Sequence, residues 1–278
     1  MKRYFRTILV FWSAAAAAEA EYRVNFLIAF FTSLLNVIGS IFVLSLFFGG
    51  DLLSLFSGGD VSSQVSGGEQ SFNGWQWEQA LLVMGMFTLL EAFSSSLLIP
   101  NLSRIVDHVR LGTLDFVLLK PIDSQFWLST RNLSLWGLPN LAFALIILIY
   151  AGVKLDIGLS AWLMGIPPMF LGIVMLYSIW FILGATSIWF VKVYNVTEVL
   201  HSILEAGKYP VAMYPTAYQF FFTFIVPVAF MTTVPAQAVR GLMTGRQFMI
   251  AIVLAVVLLT VSRFFWRFAL RFYTSASS

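Results

Sequence analysis

From Phe26 to Trp266 the chain keeps returning to apolar runs, each about as long as the ~20 helical residues that cross a bilayer. Backbone polar groups in lipid need partners within their own segment, so runs of this length predict helices. Six spans follow: Phe26–Phe48, Ala80–Ile99, Leu133–Val153, Ala161–Val191, Val211–Met231 and Phe248–Phe268. Only 10% of the residues are charged, against about 25% in a soluble domain. The expected fold is an all-α polytopic membrane protein, one transmembrane domain over residues 1–278.

Charge sets the direction. The segment Gly49–Glu78 holds Asp51, Asp60, Glu69 and Glu78 and no lysine or arginine. Thirteen of the sixteen basic residues fall on the other side: Lys2, Arg3, Arg6 and Arg23; Arg104, Arg110, Lys120 and Arg131; Lys192 and Lys208; Arg263, Arg267 and Arg271. Basic residues mark the cytoplasmic face, so both termini are expected there. Membrane orientation accounts for the net charge of +3, and no nucleic-acid partner is needed to explain it.

Residues 1–23 read in two ways. Early basic residues, an apolar stretch and Ala18-Glu19-Ala20 resemble a secretory signal. Cleavage would turn the Lys/Arg-free segment Gly49–Glu78 to the cytoplasm, against the charge rule. The better reading is an interfacial elbow helix, with Phe5, Ile8, Leu9 and Trp12 on the membrane.

The chain has no cysteine, which excludes disulfides and thiol metal sites. The Asn-X-Ser/Thr matches at Asn101, Asn132 and Asn195 fall at cytoplasmic or membrane positions. No GxxxxGK[ST] phosphate loop is present, so the chain is not expected to bind ATP itself. HExxH, GxSxG and a carboxylate-rich metal cluster are also lacking, and the histidines are only His108 and His201. A catalytic or cofactor site on this chain is not expected.

The external loop, residues 49–78, is rich in Gly and Ser and reads as a flexible connector. Trp75 and Trp77 after it are expected in the interfacial aromatic belt. The loop at residues 101–125 is more informative. Leu102, Ile105, Val106 and Val109 have helical spacing, with Arg104, Asp107, His108 and Arg110 on other faces. This predicts a helix lying flat on the cytoplasmic surface and ended by Gly112. Leu114, Phe116, Val117, Leu118 and Leu119 then need a partner surface or membrane, and Lys120-Pro121 stops the run. Spacing alone leaves two readings open, an amphipathic connector or a docking element for a cytoplasmic partner.

Charges inside spans default to functional candidates. Glu91 is the clearest, followed by Ser94-Ser95-Ser96. Glu91, Ser94 and Ser95 either line a pathway or serve structure, Glu91 as the partner of Arg131 and the serines as close packing. Asn36 and Asn140 are expected to bond between helices. Glu198, His201 and Glu205 read as the solvated face of a cytoplasmic helix rather than a proton relay. Pro167-Pro168 is expected to kink the fourth span.

The stretch RLGTLDFVLLKPI at residues 110–122 resembles the loop of bacterial type-2 ABC exporter permeases of the subfamily with the pattern R-x-G-x-L-D-x-x-L-x-[RK]-P. AGKYP at 206–210 is a second match. FIVPVAF at 224–230, with VPA at 234–236 and Gly241, is a third. The six-span layout and elbow helix fit the same family. The resemblance implies a permease in the bacterial cytoplasmic (inner) membrane, forming the substrate pathway of an ATP-driven exporter with a second chain, identical or homologous. ATP and Mg would sit on separate cytoplasmic ATPase subunits. It implies that residues 101–125 hold the coupling helix, with Arg104, Arg110, Gly112, Asp115, Lys120 and Pro121 in the transmission region. It also implies that Pro227, Pro235 and Arg240 shape a re-entrant external segment at 232–247. The alternative is a secondary, ion-coupled transporter, although no convincing repeat relates the halves.

Overall fold

The computed structural model describes residues 8–15, 17, 23–48, 71–190 and 201–274. Most of the Gly/Ser loop, the cleavage-like Ala18-Glu19-Ala20, and Lys192 and Glu198 lie outside the described residues. Among those described there is no β-strand, only an isolated bridge between Phe72 and Trp75. Five helices are long and apolar enough to cross a membrane, or six if one bent pair counts as a span.

The first span is α1 (Arg23–Phe47). Next comes α2 (Trp77–Phe93), which is buried on nearly every side from Gln79 to Thr88 and forms the centre of the bundle. A π turn (Ser94–Leu98) joins α2 end to end with α3 (Ile99–Arg110). The helix expected to lie flat and apart is thus a prolongation of the second span. Pro100 does not interrupt it, because the π turn just before it locally widens the helix and absorbs the missing amide donor. Together Trp77–Arg110 spans 34 residues, about 51 Å at ~1.5 Å per residue, which exceeds the ~30 Å hydrocarbon core. The run therefore has more turns than the hydrocarbon core needs, and its polar residues, Arg104 to Arg110, lie at the α3 end.

Two short helices follow, α4 (Leu114–Leu118) and α5 (Ser124–Thr130). They lead into α6 (Leu138–Lys154) and α7 (Leu159–Ala185). Gly137, at the entry to α6, presses on the π turn. A methyl group there would lie 2.6 Å from the Ala92 carbonyl and 2.7 Å from Ser95 Oγ. Pro167 and Pro168 sit inside α7, which continues past them to Ala185 without a break.

The fifth span departs most from expectation. Lys208 lies at mid-bundle, its Nζ 3.1 Å from Asn36 Oδ1 near the midpoint of α1. By Ala212, whose carbonyl accepts from Asn73 at 3.3 Å, the chain has reached the end of the bundle that carries Phe48 and Trp77. It then enters α8 (Thr216–Phe220), which continues as a π segment to Ile225. A 67° bend at Val226-Pro227 separates this from α9 (Val228–Met231) and α10 (Thr233–Val239). Val228 is back at mid-depth beside Gly207, and Val239 returns to Gly165 near the start of α7. Residues 216–239 therefore make an inward excursion with Pro227 at its turn, where 211–231 was expected to cross straight and 232–247 to re-enter. The break lies where Val226, before Pro227, takes an extended backbone (φ −114°, ψ 100°), the conformation a following proline favours, and Pro227 lacks the amide to bridge it. The last span is α11 (Gly245–Ala269).

The excursion seats on α7 through glycine. A methyl group on Gly172 would stand 2.9 Å from Met231 Cα and 3.2 Å from its carbonyl oxygen, both backbone atoms unable to swing away. Gly172→Val is expected to cost about 3 kcal/mol, the upper end for overpacking, and to lower the melting temperature in detergent. An unchanged melt would show that α7 and α9 separate freely.

Candidate functional site

At the end of the bundle where α3 ends, α3, α4 and α5 form a small cap. Gly112 takes φ +67°, a left-handed conformation that turns the chain after α3, and its amide donates to the Val109 carbonyl. The helix end placed at Gly112 from sequence holds. The α4 helix is two-faced. Leu114 and Val117 are buried at 0% and 2% exposure, while Phe116 and Leu119 stand 68% and 80% exposed. Leu111 and Leu118 extend the bare apolar surface. Arg104 and Arg110 are exposed around it, as are Lys120 and Pro121. Asp115, in the first turn of α4, lies against Tyr273 just past the last span. Burial, then the Asp115 carboxylate, push that phenol up.

The cap is tied to the spans by polar contacts. Arg263 of α11 grips Asp123 with both guanidinium nitrogens, Nη1 donating to Oδ1 at 2.9 Å, and also reaches Gln125 Oε1 at 3.1 Å. The Trp266 indole donates to Ser124 Oγ at 3.0 Å. Gln125 donates to the Tyr177 hydroxyl of α7 at 3.1 Å, and Ser129 lies 2.9 Å from the same hydroxyl. Asn101, 1% exposed, donates to the Asn132 carbonyl at 2.7 Å and clasps α3 to the start of the third span. Asp123 also caps α5 by accepting from the Phe126 amide at 2.9 Å. The Arg263 hydrogen bonds hold the Asp123 carboxyl below its ordinary range.

A second polar group lies at mid-bundle. Glu91 of α2 interacts electrostatically with Lys208, His201 and Glu205. Lys208 pairs with Glu205 at 3.0 Å and sits 5.7 Å over the Phe87 ring. The partner foreseen for Glu91 was Arg131, but that residue lies instead over Trp127, 4.5 Å from the ring centroid. His201 and Glu205, expected on a solvated surface, are half-exposed and lie within the electrostatic reach of Glu91. Ser95 turns back to the Glu91 carbonyl at 2.8 Å, and Ser94 is buried. The serine run thus packs against Gly137. Asn36 bonds Lys208 and Asn140 bonds Ser33, so both act between elements as foreseen.

At the opposite end Pro235 is buried inside α10, and Arg240 ends that helix with its guanidinium 5.5 Å from the Trp75 centroid. Trp75, expected in the interfacial aromatic belt, is 6% exposed and covered by Arg240. Trp77 packs edge-on against Phe48. A cavity of about 800 Å³ between α2, α6 and α7 is lined by apolar groups such as Met86, Leu148 and Ile173, with Asp156 at its edge. Among the described residues no group of three metal-ligating side chains occurs.

The family model described as ABC-2 family transporter protein matches residues 64–277, well over half the chain. The chain belongs to the ABC-2 transporter family. No curated protein and no solved structure matches it. Membership in the ABC-2 family, with several apolar helices long enough to span, makes this a multi-pass permease subunit of an ABC transporter. ABC-2 permeases are in general non-catalytic and work with ATPase subunits.

The Arg263–Asp123 tie was not foreseen, because 140 residues separate the partners. Asp123→Ala is expected to cost about 2 kcal/mol, roughly 1 for the lost cap and up to about 1 for a partly exposed ion pair. The depressed carboxyl fixes the sign with pH. Its contribution is full above the ordinary carboxylate value of about 4 and is lost as pH falls below that. The melting difference between wild type and Asp123→Asn should narrow from pH 7 to pH 3.

Proposed function

We propose that this chain is the membrane permease of an ATP-driven exporter in a bacterial inner membrane, working as a homodimer or heterodimer. The α3–α5 cap faces the cytoplasm, both termini lie on that side, and the N-terminal residues form an elbow helix. The cap docks in a groove of the partner ATPase, where ATP and Mg are bound. One observation carries this reading: α4 is held by Leu114 and Val117 while Leu111, Phe116 and Leu119 stand bare. Large exposed apolar residues on a rigid element, rimmed by charge, are what a protein interface needs. Arg104, Arg110 and Lys120 supply the rim, and Gly112 and Pro121 the turns on either side of α4. The Arg263 and Trp266 ties give the cap a route to the spans. Glu91 and its charged neighbours are our candidate for the pathway lining.

That same interior group favours a second reading, a secondary transporter, since ionisable residues at mid-membrane mark ion routes. Purification of the tagged chain in mild detergent separates the two. A stoichiometric phosphate-loop ATPase with vanadate-sensitive activity supports the exporter. A chain that purifies alone, under conditions that preserve other such complexes, supports the secondary transporter.

A further inference from the structure

Beneath the docking patch lies a polar cavity of about 410 Å³, lined by Arg104, Asp107, His108, Thr113, Trp127 and Arg131 among others. Trp127 is 4% exposed, so its ring is fixed. Two cations share that ring: Lys120 Nζ is 4.1 Å from the centroid and Arg131 Cζ 4.5 Å. Burial pulls the Lys120 ammonium below its ordinary value, and Arg131 adds to the effect. Arg104 and Arg131, both exposed, line the cavity with Lys120 close by on the Trp127 ring, and the lining offers one carboxylate, Asp107. His108 is turned to Thr113, its Nδ1 2.7 Å from the hydroxyl, and leaves the basic wall to the arginines.

The depth of this cavity is marked independently. The Trp12 indole donates at 3.1 Å to the carbonyl of Thr130, the residue before Arg131. Trp12 belongs to the N-terminal helical segment, where Leu9 and Val10 are 52% and 58% exposed. An amphipathic segment with bare aliphatic groups and a tryptophan lies in the lipid headgroup layer. Basic pockets between spanning helices at that level suit phosphate headgroups.

We propose that this cavity binds a phosphate group, clamped by Arg104 and Arg131 and closed by Lys120. Arginine matches phosphate with two parallel donors, and an anion between Lys120 and Arg131 relieves their mutual repulsion. The phosphate comes either from an anionic phospholipid of the same leaflet or from a soluble phosphate compound. The site adjoins the apolar docking patch, with which it shares Leu111 and Arg104, and its ligand does not depend on the exporter assignment.

The test uses the full chain, purified in detergent and stripped of lipid. It is titrated with dioctanoyl phosphatidylglycerol, dioctanoyl phosphatidylcholine and glycerol phosphate, and read by melting temperature and tryptophan fluorescence. Saturable stabilisation by phosphatidylglycerol, weakened at least tenfold in Arg104→Gln/Arg131→Gln, is the expected result. If glycerol phosphate does not compete, the ligand is a lipid. If it saturates and competes, the ligand is a soluble phosphate. Arg104→Lys/Arg131→Lys, which keeps the charge, guards against a folding defect and should retain most of the binding. No saturation by any of the three, or equal binding by the glutamine variant, overturns the proposal.

Discussion

Phe116→Glu/Leu119→Glu is expected to release the ATPase from the purified complex while leaving the permease folded in the membrane. Both residues stand on the bare face of α4, and the buried face, Leu114 and Val117, is untouched. The helix therefore keeps its own anchorage. Truncating an aromatic anchor at a protein interface typically costs about 2–4 kcal/mol, and burying two carboxylates in an apolar groove adds to that. A loss of at least ~100-fold in association follows, since each 1.4 kcal/mol is about tenfold. ATPase stoichiometry after affinity purification reports association, and the melting temperature of the permease reports folding. ATPase retained at wild-type stoichiometry would move the docking surface elsewhere on the molecule.

Lys208→Met should have the second large effect, through the fold. Its ammonium is the counter-ion of Glu205, is hydrogen-bonded to Asn36 and lies in the field of Glu91. Breaking a buried pair typically costs about 3–5 kcal/mol because the surviving charge is stranded. Glu205 keeps 43% side-chain exposure, so we expect on the order of 2–3 kcal/mol. Lys208→Met/Glu205→Gln should recover much of the loss, as it removes the stranded carboxylate. Yield from membranes and the melting temperature measure both variants. A single variant as stable as wild type would mean that the interior charges do not hold the bundle. Glu91→Gln then isolates transport: reduced flux in a normally folded chain supports its place in the pathway.

The spans were legible because apolar run length is a property of composition, and lipid permits little else. The helix end at Gly112 was legible because turn chemistry is local, while the apolar run from Leu114 to Leu119 announced a need for cover without showing that Leu114 and Val117 would be buried and Phe116 and Leu119 bare. What lay hidden depended on depth or on distance along the chain. Lys208 looks like a loop residue, because a lysine before Tyr209-Pro210 reads as an end. Only its contact with Asn36 in another helix shows that it is interior. Pro227 announced a break, but not that the chain had already reached one end by Ala212 and turned back. Trp75 has belt composition, and its cover by Arg240 joins residues 165 positions apart. The serine run was the informative exception, since three small residues in a row already point to close packing.

The Arg263 grip on Asp123 has a mechanical consequence. At ~1.5 Å per residue, the 25 residues of α11 form a rod of about 37 Å. One end carries Arg263 and Trp266, fastened to the cap. The other begins beside the excursion, where Gln247 donates to Gln237 of α10 at 3.1 Å. Tied at Gln247 and at Arg263, about 24 Å apart, the helix is a lever: a tilt of about 10° displaces one tie by roughly 4 Å relative to the other. Under the proposed docking, a push on the cap would travel along this one helix to the far mouth of the bundle.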